Sequence, residues 1–264
     1  MAAKKTTISL VLLLSAVGLI SVARDSQEVN LPARFDWRES DIMTPVKNQG
    51  DLGSCGVFAA VAVFEALIKK ETGKTVDLSE QQIINGSTDW APSGISSVNA
   101  MKYMKEHGLV SEETLPYQDK RTEDMPAGPA DFVLADYQYV ITDKLSLNDK
   151  ITTIKQAVLE HGPVATNMIF FQDLDRHREG VYIHDGKSPE QGGHWVVIVG
   201  WEDDPAVQNG GYWICRNSWG EGWAEQGYFK IAYGECGVDD FCFVYGVFHP
   251  ENCPSSQMTN QPYG

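Results

Sequence analysis

The sequence predicts an α+β fold with two lobes sharing a cleft. Three observations carry this. Apolar stretches of helical length dominate the first half, strand-like runs dominate the second, and 264 residues suffice for one large domain or two small lobes. The folded part is expected over residues 24–252, with a helical lobe over about 42–128 and a β-rich lobe over about 129–250. Residues 1–23 read as a leader and 253–264 as a loose, polar tail.

The elements follow in chain order. Lys4 and Lys5 precede an apolar run over 8–22, and Ser21-Val22-Ala23 places small residues where a signal peptidase cuts, so cleavage after Ala23 and export are expected. The run is short of the roughly 20 residues a spanning helix needs, and no later segment is long enough. Residues 27–39 read as an extended strap, and 44–50 as a strand-like run entering the turn Gln49-Gly50-Asp51-Leu52-Gly53-Ser54. A helix is predicted from Cys55, because residues 57–68 are apolar almost all round, the pattern of a buried central helix. Lys69 and Lys70 suit its negative pole and Gly73 its stop. Ser79 and Gln82 form a capping box for a second helix, and a third runs from about Ser97 to His107, ended by Gly108. Pro126, Gly128 and Pro129 mark a loop between the lobes. Residues 131–141 alternate, and a helix follows around 149–161, with Ile151, Ile154, Val158 and Leu159 on one side. Strands are then expected at 164–170, 181–184, 194–201, 212–217, 228–232 and 241–248.

Composition narrows the function. Acidic residues outnumber basic ones 36 to 21, and the net charge of −15 argues against nucleic-acid binding and against docking on an anionic membrane. The acids serve solubility or steer basic substrates. Five cysteines in an exported chain allow disulfides and leave at least one thiol over.

Cys55 follows a Gly-Ser turn and opens an apolar helix. The positive end of the helix dipole favours a thiolate there, and the thiolate is the nucleophile. A cysteine in an apolar stretch is ordinarily an inert core residue. Gly53 and Ser54, offering close backbone approach and a capping hydroxyl, are not what a core cysteine needs. His194 stands after Gly192-Gly193, at the mouth of an apolar strand, where glycine lets another chain come close. Asn217 ends a second strand, with an amide oxygen able to fix an imidazole's orientation. The Gln49 side-chain amide and the Cys55 backbone N–H suit an oxyanion hole. These make a Cys–His–Asn arrangement for nucleophilic catalysis, which calls for no cofactor. No Cys/His cluster has zinc-ligand spacing, so no metal is expected.

At this point a family resemblance is plain. The stretch from Pro45 through Gln49 to Cys55 resembles the nucleophile segment of the papain family, and Leu78-Ser79-Glu80-Gln81-Gln82 its Leu-Ser-Glu-Gln helix start. Gly193-His194-Trp195-Val196-Val197 and Asn217-Ser218-Trp219-Gly220-Glu221-Gly222-Trp223 are similar to its histidine and asparagine motifs. Phe35-Asp36-Trp37-Arg38, Gly227-Tyr228-Phe229 and Glu235-Cys236-Gly237 extend the similarity in family order. The resemblance implies a papain-like fold, with a helical left lobe, a β-barrel-like right lobe and a peptide groove between them. It implies Cys55 as nucleophile, His194 as base, Asn217 as its orienter, Gln49 at the oxyanion and Trp219 as a shield for the His–Asn hydrogen bond. By the same resemblance, substrate contacts fall to Ser93 and Gly94 for peptide backbone, to Gly193 beside the base, and to Ser97, Val98 and Asn167 around a side-chain pocket with Phe241 or Asp240 near its floor. The implied activity is endopeptidase, with polypeptide substrates and a monomeric chain. Alternatives on the same residues are an inactive peptide-binding module and an acyl transferase using the same thioester.

The sequence also departs from the pattern. Gly56 stands where the family has tryptophan, which reads as a cost in helix stability and a lost aromatic wall beside the thiolate. Leu52 stands where it has a disulfide cysteine, and residues 85–94 lack the cysteines that would complete the left-lobe bridges. In the right lobe one pair among Cys236, Cys242 and Cys253 is expected to be oxidised, with Cys215 a free buried thiol. Only Arg24 to Asn30 separates the leader from the motifs, so restraint is expected from export, oxidation, a separate protein inhibitor or the tail instead of a pro-segment.

Overall fold

An apolar helix with no polar face must be surrounded, and the fold is built around one. The computed structural model describes residues 30–91, 94–140, 144–240 and 243–252. The expected leader, the tail, Ser93, Phe241, Cys242 and Cys253 lie outside them. The chain divides into Met1–Asn30 and Leu31–Gly264, and the elements below all belong to the second unit. Helix α1 spans Cys55–Thr72, and every residue from Gly56 to Ile68 is buried, Glu65 included. It stops at Gly73, whose φ of 71° is left-handed and whose N–H bonds Lys69 O at 2.8 Å. Around it lie α2 (Glu80–Gly86), α3 (Ser97–His107) and, behind the sheet, α4 (Leu147–His161).

Each of these three starts on a serine whose Oγ accepts from the backbone N–H three residues on: Ser79 from Gln82, Ser96 from Asn99 and Ser146 from Asp149. The reciprocal half of the expected capping box at α2 is not made. The Gln82 side chain reaches instead to Gly108 O (3.1 Å) and Val110 N (2.8 Å), tying α2 to the end of α3. Asn85 spends both amide hydrogens on Thr122 and Asp124.

The strands are β1 (Arg34–Asp36), β2 (Asp136–Tyr139), β3 (Val164–Phe171), β4 (Val181–Tyr182), β5 (Glu190–Asp203), β6 (Gly211–Arg216), β7 (Tyr228–Ala232) and β8 (Phe243–Val247). They form one sheet in the order β2-β8-β3-β5-β6-β7-β4, with β1 on β5 and only β4–β7 parallel. The sequence-predicted run at 44–50 is no strand; it contributes one bridge, Asn48 to Trp219.

Strand alternation divides the sheet between two cores. Ala165, Val197, Val199 and Ile214 face α1. Val164, Val196, Ile198, Trp213, Cys215 and Phe229 face α4. Cys215 is fully buried there, and burial pushes its thiol well above the ordinary value, an inert core residue as expected. Cys236 is also a free thiol, 3.5 Å from Glu235 Oε1, so of the three pairings expected among Cys236, Cys242 and Cys253 the two that involve Cys236 are not formed, and the third lies outside the described residues. No helix among the described residues is long and apolar enough to cross a membrane.

A polar network crosses the helix side of this interior. Glu65 accepts from Thr44 Oγ1 (2.6 Å), Lys47 Nζ (2.8 Å) and Leu78 N (2.9 Å). Lys47 also reaches Glu80 at 2.9 Å, and Arg216 donates to Thr44 O and Pro45 O at 2.9 and 2.7 Å. One ammonium therefore serves two fully buried carboxylates. Burial first, then the charge of Glu65, push Glu80 up to about 8 against the pull of Lys47, while Glu80 and Glu65 hold Lys47 above its ordinary value despite its own burial.

Two outcomes follow. Replacing Lys47 by Met leaves both carboxylates without their cation, and urea unfolding should show a loss of about 3–5 kcal/mol. Because Glu80 keeps its proton in the folded chain to a higher pH than in the unfolded chain, its contribution is complete below the ordinary carboxylate value. It is lost as pH rises through about 8. A Glu80→Gln variant should flatten that part of the stability–pH curve.

Candidate active site

The cleft lies where the first turn of α1 meets β5 and β6. Cys55 is the first residue of α1 and is half-buried. His194 lies on β5 with 4% exposure, and its Nε2 donates to Asn217 Oδ1 at 2.8 Å. That leaves Nδ1 for Cys55, whose sulfur is hydrogen-bonded to the His194 side chain. Asn217 Oδ1 also accepts from Ser218 N at 2.8 Å, and the Asn217 backbone N–H bonds Gly227 O at 2.9 Å, so the side-chain oxygen and the backbone that carries it are both held. Trp219 stacks on the imidazole at 4.9 Å and 29°, and Phe170 tilts against it at 5.8 Å. Two aromatic rings thus cover the His194–Asn217 pair.

Burial and partnership oppose each other at these groups. Burial alone would raise the Cys55 thiol. The hydrogen bond to His194, its charge, and the backbone N–H groups of Trp195 and Gly56 outweigh this and hold the thiol below its ordinary value. Burial alone would lower His194. The bond to Cys55, its charge, the bond to Asn217 and the charge of Asp175 hold the imidazole above its ordinary value. Both directions describe a thiolate–imidazolium pair.

Gln49 is buried against this pair from the other wall. Its Oε1 accepts from Ser218 Oγ at 2.6 Å, and its N bonds Ser218 O at 2.8 Å. One Nε2 hydrogen goes to Leu52 O at 3.0 Å, which leaves the second for an oxyanion. The turn after Gln49 carries no disulfide at Leu52. Asp119 accepts from Asp51 N and Leu52 N at 3.3 and 3.0 Å, and Tyr117 donates to Gln49 O at 2.5 Å. Neither Tyr117 nor Asp119 is marked by any motif, and their spacing from the turn gave no signal.

Several expected details are corrected. Ser54 makes no side-chain cap to α1; its hydroxyl bonds Leu52 O and meets Tyr117 Oη at 3.2 Å. Ser97 cannot wall a substrate pocket, because it is fully buried and donates to Gly56 O at 2.8 Å. Gly94 offers no free N–H to a peptide, since it pairs with Ala91 in both directions. Gly56 is no mere loss of an aromatic wall. A Cβ there would lie 2.1 Å from Ile95 O and 2.9 Å from Ser97 N, so the backbone of 95–97 occupies the space itself. Val98 and Asn167 are half-buried, Val98 against the helix-side core, and a Cβ on Gly193 would lie 3.3 Å from the Asn167 amide. Asp173, His184 and Asp185 cluster just beyond the end of β3, where Phe171 stacks on His184, their polar atoms bonded among themselves and to Tyr182.

A model of the papain family of cysteine proteases matches residues 31–245. The chain belongs to that family. It is 34% identical over 221 residues to a cathepsin L-like protein of Caenorhabditis elegans, covering 80% of this chain and 63% of that one. To human cathepsin L2 it is 32% identical over 226 residues, covering 82% and 66%. The chain spans between 58 and 66% of the lengths of these and similar curated relatives. Among solved structures, digestive procathepsin L 3 of Tenebrio molitor larval midgut superimposes with a TM-score of 0.71 at 27% identity, over 84% of this chain and 72% of that one. The bromelain protease of Ananas comosus, in complex with the E64 inhibitor, gives 0.69 at 26%, over 83% and 100%. The papain-like α+β class expected of the sequence is the fold of these neighbours.

If the imidazole is what holds the Cys55 thiol down, His194→Ala leaves burial unopposed. The midpoint of the pH dependence of Cys55 alkylation by iodoacetamide should then move from below the ordinary thiol value to above it, read by mass spectrometry of the Cys55 peptide.

Proposed function

We propose that the chain is a cysteine endopeptidase acting on polypeptides. The observation that carries the reading is the unbroken sequence of contacts from Cys55 at the start of α1, through His194, to Asn217. The Cys55 thiolate attacks the scissile carbonyl carbon, and the C–N bond breaks as His194 gives its proton to the leaving amine. The acyl group stays on sulfur as a thioester. Water then attacks it, His194 takes the water's proton, and the acid leaves with the thiol restored. During both additions the carbonyl oxygen becomes an anion, and the Cys55 N–H with the free Gln49 amide hydrogen are the donors on hand; such a donor is worth about 10² to 10³ in rate. Asn217 keeps the imidazole in the orientation and tautomer that point Nδ1 at sulfur. Trp219 and Phe170 keep water from that bond.

Within this reading the enzyme works outside the cytoplasm, as the basic-apolar-small pattern ending at Ala23 supports. It works as a monomer on peptides, and not on nucleic acid, given a net charge of −15.

The deciding measurement is mass spectrometry of the purified chain after incubation with E-64, the inhibitor bound to bromelain in the solved complex. A single adduct on Cys55, absent in Cys55→Ser and strongly slowed in His194→Ala, is expected. No adduct on a folded, reduced chain would leave a peptide-binding module in place of an enzyme. The kcat/KM of peptide hydrolysis should be bell-shaped, with its acid limb below the ordinary thiol value and its alkaline limb above the ordinary imidazole value. Both limbs belong to the coupled pair.

A further inference from the structure

We propose that one buried water bridges Asn217 to Glu80, and that Glu80 is thereby a positioning residue for the His194 imidazole. This deepens the peptidase reading above and rests on it. The starting point is an unanswered donor. Asn217 is only 3% exposed, and its Oδ1 accepts from both His194 and Ser218 N. Its Nδ2 is buried as well, yet no protein group among the described residues accepts from it. A buried amide N–H without an acceptor is costly. Asn217 also lines a cavity of about 10 Å³, room for one water. The other polar side chains on its wall are those of Lys47, Glu80, Arg216 and Ser218, and the rest of the wall is apolar side chains of α1 and β5.

The chemistry of that wall decides where the water's own hydrogens go. Lys47 and Arg216 are donors only. Lys47 is spent on Glu65, Leu78 O and Glu80, and Arg216 on Thr44 O and Pro45 O. Ser218 Oγ is held on Gln49 Oε1 at 2.6 Å. Glu80 is the acceptor with capacity left. Its two oxygens take Lys47 Nζ at 2.9 and 3.1 Å, and each keeps a further lone pair. The water therefore accepts from Asn217 Nδ2 and donates to Glu80. What this does for the site follows from the freedom of the amide, whose terminal torsion is broad and two-fold. Held through Oδ1 alone, the amide could turn and set its NH2 against the His194 N–H, donor against donor. A bridge at Nδ2 fixes the plane that presents Oδ1 to the imidazole. Hydrogen bonds then run from Glu80 through the water, Asn217 and His194 to Cys55, each polarising the next.

The test has two arms. A crystal structure of the wild-type chain, at a resolution that shows ordered water, should place one water within hydrogen-bond distance of both Asn217 Nδ2 and a Glu80 carboxyl oxygen. An empty cavity, or a water that joins Asn217 to Ser218 Oγ in place of Glu80, overturns the proposal. The second arm is a double-mutant cycle on the kcat of peptide hydrolysis, counted per molecule that takes an E-64 label. Glu80→Met removes the acceptor at similar length and should lower kcat about tenfold with KM unchanged, the scale of one hydrogen bond to a reacting group. In an Asn217→Ala background, which has no Nδ2, the same change should lower kcat by less than about twofold, because the path is already cut. Glu80→Gln keeps an oxygen acceptor and should restore most of the kcat lost in Glu80→Met. A role in folding alone would act equally in both backgrounds, and equal factors, or an unchanged kcat in Glu80→Met, sink the idea. If Glu80→Met does not fold, the crystal structure decides by itself. Failure of the peptidase reading shows separately, as a wild-type chain that takes no E-64 adduct, and removes the positioning role with it.

Discussion

The structure depends on the burial of one carboxylate. Glu65 sits three turns into a helix whose surroundings are otherwise apolar, and an unpaired charge there would cost several kcal/mol. The partners that answer it come from two stretches of chain: Thr44 and Lys47 from the run before the turn, and the Leu78 N–H just ahead of α2. Each is also a support for the site. The run carries on to Gln49, Leu78 leads into the capped start of α2, and Thr44 passes the connection to Arg216, the residue before Asn217. Satisfying one buried acid thus ties the helix that opens on Cys55 to the strand that leads to Asn217.

The site repeats this balance at smaller scale. Burial works against both charged forms, and only their mutual contact reverses it. A pair of this kind is self-enforcing: removing either member returns the other to what burial prefers, a neutral thiol or a neutral imidazole. The aromatic cover of Trp219 and Phe170 strengthens the arrangement, since excluding water raises the worth of each hydrogen bond it encloses.

Much of this was legible in the residues. The start of α1 at Cys55, its end at Gly73 and the limits of α3 follow from a turn, a left-handed glycine and a capping serine, all local signals. His194 and Asn217 stand in short motifs at strand ends, and the structure joins them. What escaped is what depends on residues distant in sequence. Ser54 and Ser97 have the chemistry of a cap and of a pocket wall, but Tyr117 claims one hydroxyl and the Gly56 carbonyl the other. The Gly56 position looked like a missing side chain because the backbone that replaces it lies some forty residues on. The turn at Leu52 looked unsupported for the same reason, its support being Asp119.

The alternation of β5 has a further consequence for how such a protein can change. His194 and Trp195 are neighbours in sequence with opposite outlooks, one into the aromatic shelter and one toward α1. Side chains at the two positions meet different surroundings, so each can be exchanged against its own neighbours. Sliding the strand by one position would exchange the two roles at a stroke and ruin both. The strand thus keeps its two audiences apart only as long as its register is kept.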